Sequence, residues 1–193
     1  MSLILASNSQ IRKEMLDQGG IEFEVRSPAF DEDEAKRGFD GDSEKLAMTL
    51  AAGKAASVMA GSGDWVIGSD STVTVEGVRY SKPRDRDEAA AHLNAFSGRT
   101  MLLSSAVALA RQGKVEWVHA ETARLHWRSL SEKFIADYLD DEWPAVGYCV
   151  GVFRMEGRGV TLFDRVEGSY FTILGMPLLP LLGALRQRGL MAS

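Results

Sequence analysis

Residues Leu3–Leu16 read LILASNSQIRKEML, and the order of residue types in this stretch indicates the fold class. The first four residues form an apolar run typical of a short buried β-strand, and Ser7-Asn8-Ser9 ends that run. A helical pattern follows over residues 10–18 and stops at Gly19-Gly20, which places Ser9 at the N-cap of the helix. A strand that leads directly into a helix is the unit from which α/β folds are built.

The rest of the chain alternates in the same way between strand-like and helix-like stretches. The patterns predict a helix from about Glu44 to Met59, a hairpin around Gln112-Gly113, a strand over Val146–Arg154 and a closing helix from Pro177. Interleaved strands and helices predict an α/β fold, and the central hairpins make its sheet mixed rather than purely parallel. Since 193 residues without an internal repeat or a low-complexity linker can share one core, we expect a single domain over 1–193, with room for two lobes.

Composition excludes several classes of partner. The 22 Lys and Arg residues against 27 Asp and Glu residues give a net charge of −5, which argues against nucleic acid or an anionic membrane as a partner. The lone Cys149 excludes an intramolecular disulfide framework and a multi-cysteine zinc site. Without an apolar run of about 18 residues or a signal-peptide pattern, the chain is expected to be cytoplasmic.

The junction between the first strand and the first helix is a candidate anion site. A helix N-terminus presents unpaired N–H groups and a partial positive charge. The hydroxyls of Ser7 and Ser9 and the guanidinium of Arg12 would complete a cradle for phosphate oxygens. The alternative interpretation is a plain serine N-cap followed by exposed basic residues.

A second candidate is Lys54, which lies on an apolar helical face. Leu46, Leu50 and Val58 share that face at four-residue spacing. The ammonium group either points into a cleft or extends past its apolar neighbours to solvent, and the spacing leaves both interpretations open.

Two further candidates follow strand-like runs. Asp70 interrupts the run Gly68–Thr72, where a carboxylate can bind a metal or activate water, although an aspartate in a turn explains the same pattern. Lys82 lies between a strand and a helix start. With Glu32, these residues provide two carboxylates and at least three cations, a set that suits hydrolysis of a polyphosphate with Mg²⁺ held by carboxylates and phosphate oxygens.

These motifs occur in an order that resembles the Maf family of nucleoside triphosphate pyrophosphatases. The resemblance runs from about Leu3 to Leu185, nearly the whole chain. It is carried by LILASNSQIRKEML, PAFDE, LAAGKAASV, VIGSDST, SKP followed by SGRT, and MEGRG with LFDRVEG and ILGMPL.

The resemblance implies an elongated mixed-sheet α/β fold, similar to that of inosine triphosphatases, with a central cleft between two lobes. It also implies hydrolysis of the bond between the α- and β-phosphates, with Mg²⁺ or Mn²⁺ as cofactor. By motif, Asp70 is expected to be the general base and, with Glu32, to lie at the metal. The resemblance assigns the remaining roles to the phosphate-binding residues Ser7, Ser9 and Arg12 and to the cleft lysines Lys54 and Lys82.

Three positions concern the nucleotide base. Ile11 and Ser71 depart from the residues common in the family, whereas Glu156 matches the members that act on 7-methyl-GTP. Guanine presents two N–H donors that a carboxylate can accept, whereas uracil and thymine present two carbonyls and one N–H, which suit an amide. We therefore expect a guanine-type base such as that of 7-methyl-GTP.

Two alternatives stay open, a dTTP/UTP-type pyrophosphatase and a nucleotide-sensing regulator of cell division without significant turnover. A homodimer is compatible with the sequence.

Overall fold

A computed structural model describes residues 2–192 and contains seven strands and seven α-helices in that range. The strands are β1 (Leu3–Ala6), β2 (Glu24–Val25), β3 (Trp65–Val75), β4 (Val78–Tyr80), β5 (Thr100–Arg111), β6 (Lys114–Trp127) and β7 (Phe163–Glu167). The helices are α1 (Gln10–Gln18), α2 (Glu32–Lys36), α3 (Ser43–Ser57), α4 (Arg86–Phe96), α5 (Glu132–Glu142), α6 (Tyr170–Leu174) and α7 (Leu178–Gln187).

The strands form one mixed sheet in the order β2-β1-β3-β5-β6-β7, and β4 pairs with β3. β1 runs parallel to β2 and β3, whereas β4 is antiparallel to β3 and β7 is antiparallel to β6. The predicted mixed α/β fold is therefore confirmed. Across residues 2–192, none of the helices has both the length and the apolarity needed to cross a lipid bilayer.

The chain divides into two compact units, and the first contains residues 2–71, 104–121 and 169–192. Its strands are covered on both faces, as parallel strands require. On one face Leu5 and Ile67 pack with residues of α1 and α7, including Leu16 and Leu185. On the other face the strands meet a row of small residues on α3, namely Ala47, Ala51 and Ala55. This row lets α3 approach the sheet closely.

The second unit contains Thr72–Leu103 and Thr122–Gly168. Its interior is aromatic: Trp127 contacts Phe96, Phe153 and Phe163 with ring centroids between 4.9 and 6.2 Å apart. Tyr80 packs edge-on against Phe96 at 4.7 Å. Offset and edge-to-face ring pairs of this kind stabilise a core beyond the area that they bury.

Two sequence predictions need correction. The strand predicted over Val146–Arg154 is wrong, because this segment forms a 3₁₀ helix at Ala145–Tyr148 and then turns. Gly151 and Val152 have φ angles of 94° and 58°, which are incompatible with an extended strand. Asp70 does not interrupt a strand, because β3 continues through it from Trp65 to Val75.

Candidate functional site

The first part of the candidate site is the loop between β1 and α1. Ser7 is buried, and its Oγ accepts hydrogen bonds from the Ser9 backbone N–H at 3.2 Å and from Arg12 Nη1 at 3.5 Å. Ser9 has the extended backbone of an N-cap, as predicted, but within the described residues its side chain makes no capping hydrogen bond. The Ser9 hydroxyl is therefore not committed to the helix, and it remains a candidate donor to an anion.

Arg12 extends from α1 into the interior of the first unit and is only 8% exposed. Its Nε donates to the carbonyl of Gly175 at 3.0 Å, and its Nη2 donates to Ser71 Oγ at 3.3 Å. Burial lowers the pKa of Arg12, and the negative charges of Asp70 and Glu32 oppose that effect. Arginine stays charged in proteins, so the site holds a desolvated cation whose hydrogen-bond partners, among residues 2–192, are neutral oxygens. The alternative of exposed basic residues is excluded at Arg12.

Gly175 closes this cradle from the loop between α6 and α7. Its carbonyl oxygen also accepts from Ser69 Oγ at 3.0 Å and Ser71 Oγ at 3.3 Å. Its φ is 112°, in the region that favours glycine, and a Cβ there would lie 3.3 Å from Ser71 Oγ. Only glycine therefore fits this position without strain.

A line of hydroxyls continues behind Ser71. Ser71 Oγ and Ser105 Oγ are 2.8 Å apart, and Ser105 Oγ donates to the carbonyl of Thr172 at 2.8 Å. The hydroxyl of Thr172 donates in turn to the carboxylate of Glu121. Because these groups are mostly buried and satisfied, the network fixes Ser71 and, through it, Arg12.

The second part of the site is an ion-paired triad of Lys54, Glu32 and Asp70. Lys54 Nζ lies 2.7 Å from Glu32 Oε1 and 3.2 Å from Asp70 Oδ2, and the side chain of Lys54 is only 9% exposed. The interpretation that Lys54 extends to solvent is therefore wrong. α3 can place this lysine because Gly68 lets the helix approach β3: a Cβ on Gly68 would lie 2.2 Å from the Ala51 carbonyl oxygen.

Positive charge from two lysines stabilises the ionised form of Glu32. Burial would raise the pKa of Glu32, but hydrogen bonds and positive charge from Lys54 and Lys36 outweigh it, so that the pKa lies below its ordinary value. Asp70 Oδ1 accepts from the backbone N–H of Ser71 at 2.8 Å. Asp70 Oδ2 is buried and, among the described atoms, lacks a hydrogen bond of good geometry despite its contact with Lys54. This oxygen therefore has acceptor capacity beyond its ion pair with Lys54.

The donor set fits a magnesium ion that is shared with a substrate. No cluster of three or more His, Cys, Asp or Glu side chains suited to a metal occurs in residues 2–192. Mg²⁺ is commonly held by one or two carboxylates together with substrate phosphates and water. Glu32 and Asp70 contact the same ammonium group, so they are the pair of carboxylates that could hold such an ion.

The remaining predicted residues are Ile11, Lys82 and Glu156. Ile11 is half-buried on α1 beside Arg12. In the second unit, Lys82 is exposed between β4 and α4, and Glu156 is exposed in a turn. Burial raises the pKa of the Cys149 thiol, the charge of Glu156 adds to that effect and the charge of Lys82 opposes it.

Sequence reasoning missed Ser69, Ser105, Thr172 and Gly175, although Ser69 and Gly175 lie inside motifs that it quoted. Arg12 and Gly175 are 163 residues apart in the chain, so local patterns cannot indicate that they meet.

Comparison with known proteins shows the family of the chain. The sequence profile of the Maf-like protein family matches residues 2–188. The chain is 46% identical to a nucleoside triphosphate pyrophosphatase of Granulibacter bethesdensis, with 97% of each chain covered. It is 42% identical to a 7-methyl-GTP pyrophosphatase of Rhizobium meliloti, with 97% of this chain and 96% of that protein covered. By sequence, this chain belongs to the Maf-like protein family.

Proposed function

We propose that this protein hydrolyses a nucleoside triphosphate to a nucleoside monophosphate and pyrophosphate, with Mg²⁺ or Mn²⁺ as cofactor. The observation that carries the proposal is the Lys54 ammonium bound by Glu32 and Asp70, in the same unit as the buried Arg12. Similarity to relatives named nucleoside triphosphate pyrophosphatase supports the same activity. A cytoplasmic location belongs to the proposal and is supported by the single cysteine.

The phosphate chain is held on the Arg12 side. The N-terminus of α1 directs backbone N–H groups and a partial positive charge at an anion. Arg12 adds charged donors, and Ser7 and Ser9 add hydroxyls. Because Arg12 is already desolvated and fixed by Gly175, binding an anion there requires little reorganisation.

The hydrolytic step is assigned to Asp70. The Asp70 carboxylate takes a proton from water while the water oxygen forms a bond to the α-phosphorus. The bond from the α-phosphorus to the bridging oxygen breaks, and its electron pair leaves with pyrophosphate. A bound divalent cation would neutralise charge on the phosphate oxygens, held by Glu32 and Asp70. Lys54 contacts both carboxylates and holds them adjacent. Lys82 is included in the proposal because its motif matches the family.

Release of pyrophosphate from a nucleotide panel, with Mg²⁺ or Mn²⁺, tests the activity. Asp70→Asn keeps the shape of the side chain and removes the base, so we expect turnover to fall by about 10²–10⁴-fold. Asp17→Asn on the exposed face of α1 is the matched control. If the wild-type protein binds nucleotides but turns none over, the protein is a nucleotide sensor and not a hydrolase.

We propose a guanine-type base, such as that of 7-methyl-GTP, as the preferred substrate. The carboxylate of Glu156 suits the two N–H donors of guanine, and a 7-methyl-GTP pyrophosphatase is among the similar proteins. Glu156→Gln should therefore lower the ratio of kcat/KM for 7-methyl-GTP over UTP by about tenfold. An unchanged ratio would remove Glu156 as the reader of the base, and preference for UTP or dTTP in the wild type would favour the alternative subgroup.

A further inference from the structure

Gly53 lies inside α3, where glycine is less favourable than any residue except proline. A Cβ built on Gly53 would lie 2.3, 2.4 and 2.8 Å from Cε2, Cζ and Cδ2 of Phe30. Real Cβ atoms essentially never approach other atoms closer than 3.0 Å. The ring of Phe30 therefore occupies the space that a side chain at position 53 would need, and this contact accounts for the glycine.

Phe30 lies just before α2, a short helix whose residues are not buried in the core. None of the five residues of α2, all of them described by the structure, is buried. A helix this short is not stable on its own, so its position depends on its attachments. Asp31 caps α2 by accepting a hydrogen bond from the Glu34 N–H at 2.9 Å, which ties the residue after Phe30 to the first turn. Glu32 is the first residue of that turn.

Two neighbouring residues of α3 contact this segment. Gly53 receives the ring of Phe30, and Lys54 binds Glu32 at 2.7 Å. We propose that Gly53 and Phe30 are positioning residues. Because Gly53 has no side chain, the Phe30 ring can pack against the helix there, and the packed ring holds Glu32 close to Lys54. This inference rests on the hydrolase function proposed above, because it assigns the pair a role in catalysis.

Gly53→Ala tests the inference directly. Alanine favours the helix, so the protein should fold, and its thermal unfolding is measured to verify this. The methyl group must displace the Phe30 ring, and the proposal expects Glu32 to move with it. A displacement of Glu32 by about 1 Å should lower kcat by about 10–100-fold with a smaller change in KM. Gly183→Ala in α7 is the matched control, because a Cβ there meets no atom within 4 Å. The control should keep the wild-type kcat.

A second substitution distinguishes this contact from a general defect. Phe30→Leu in the Gly53→Ala background removes the ring atoms that clash, so it should restore kcat at least about threefold. A kcat for Gly53→Ala within about twofold of wild type would overturn the inference. So would independent, multiplicative effects of the two substitutions, because residues in contact should show coupling.

A readout without substrate separates this inference from the hydrolase proposal. The ¹⁵Nζ resonance of Lys54 reports its ion pairs, and Glu32→Gln defines the change caused by losing the Glu32 carboxylate. Gly53→Ala should move the resonance in the direction of Glu32→Gln, and Gly183→Ala should leave it in place. If the wild type turns over no nucleotide but the resonance moves, the hydrolase proposal fails and the positioning contact stands. An unmoved resonance overturns the positioning contact.

Discussion

Arg12 and Glu32 belong to the same unit and are held in opposite ways. Arg12 is buried and bonded to groups from three separate segments, at Ser7, Ser71 and Gly175. Glu32 is 38% exposed at the start of a five-residue helix. It is held there by Lys54, by Lys36 and by the packing of Phe30 against Gly53. A group fixed by the core keeps its position without substrate, whereas a group held by few contacts moves at a small free-energy cost. The side of the site that we propose for phosphate is thus prebuilt, and Glu32 makes the other side adjustable.

Arg12→Lys should have the largest effect, because it breaks the prebuilt side. A lysine lacks the planar fork and cannot reach Ser7, Ser71 and Gly175 together. We expect the free energy of unfolding, measured with urea, to fall by about 1–3 kcal/mol as buried oxygens lose their donor. The kcat/KM for nucleotide should fall by about 10–100-fold. Equal losses in Arg186→Lys, an exposed arginine of α7, would show that Arg12 is not specially fixed.

Ser105→Ala should have an intermediate effect, because Ser105 supports Arg12 indirectly, through Ser71. It deletes the hydroxyl between Ser71 and the Thr172 carbonyl, which lie at 2.8 Å on either side. The free energy of unfolding should fall by about 1 kcal/mol, and KM should rise more than kcat falls, because the anion cradle is loosened. Ser62→Ala, in an exposed turn, is the control. A lower kcat with unchanged KM would contradict the role of Ser105 in supporting Arg12.

Lys36→Met should have the smallest effect, because it acts on the adjustable side. Glu32 has a lowered pKa, so it contributes stability that is present above its unfolded pKa of about 4.3 and is lost as pH falls through the lower folded value. Removing Lys36 raises the folded pKa of Glu32 and should reduce this acid-range loss by a few tenths of a kcal/mol, as for an exposed i,i+4 pair. Urea unfolding between pH 3 and 7 measures the change.

Lys133→Met, which breaks an exposed pair with Asp137 on α5, is the control for ordinary helix pairs. If Lys36→Met changed the acid-range stability by more than Arg12→Lys changes stability at neutral pH, the contrast between the two sides of the site would be wrong.

The parts of the fold that have a strong local pattern could be predicted from the sequence. β1 and α1 have the predicted bounds because an apolar run and a helical period meet at a polar break. The strand predicted at Val146–Arg154 failed because apolar residues in a buried turn look like those of a strand. α2 and α6 have five residues each, too few to show a helical period.

The charged residues of the candidate site could be predicted from the sequence, but the hydroxyl and carbonyl groups that hold them in place could not. Asp70 and Lys54 carry chemistry that stands out in a strand or on an apolar stripe. Ser105 and Gly175 act through a hydroxyl and a backbone carbonyl, and their partners are distant in sequence. Because such contacts depend on the path of the chain, the sequence pattern around each residue does not reveal them.

The carbonyl of Gly175 has a consequence for the order in which the protein is made. Arg12 is synthesised well before its Nε partner Gly175, which follows it by 163 residues. Until the loop between α6 and α7 has left the ribosome, the guanidinium lacks this partner and the phosphate cradle stays open. A nascent chain that already contains Lys54, Glu32 and Asp70 therefore cannot hold its anion site in the final geometry. The hydrogen bond between Arg12 and Gly175 can form only after both segments have been synthesised.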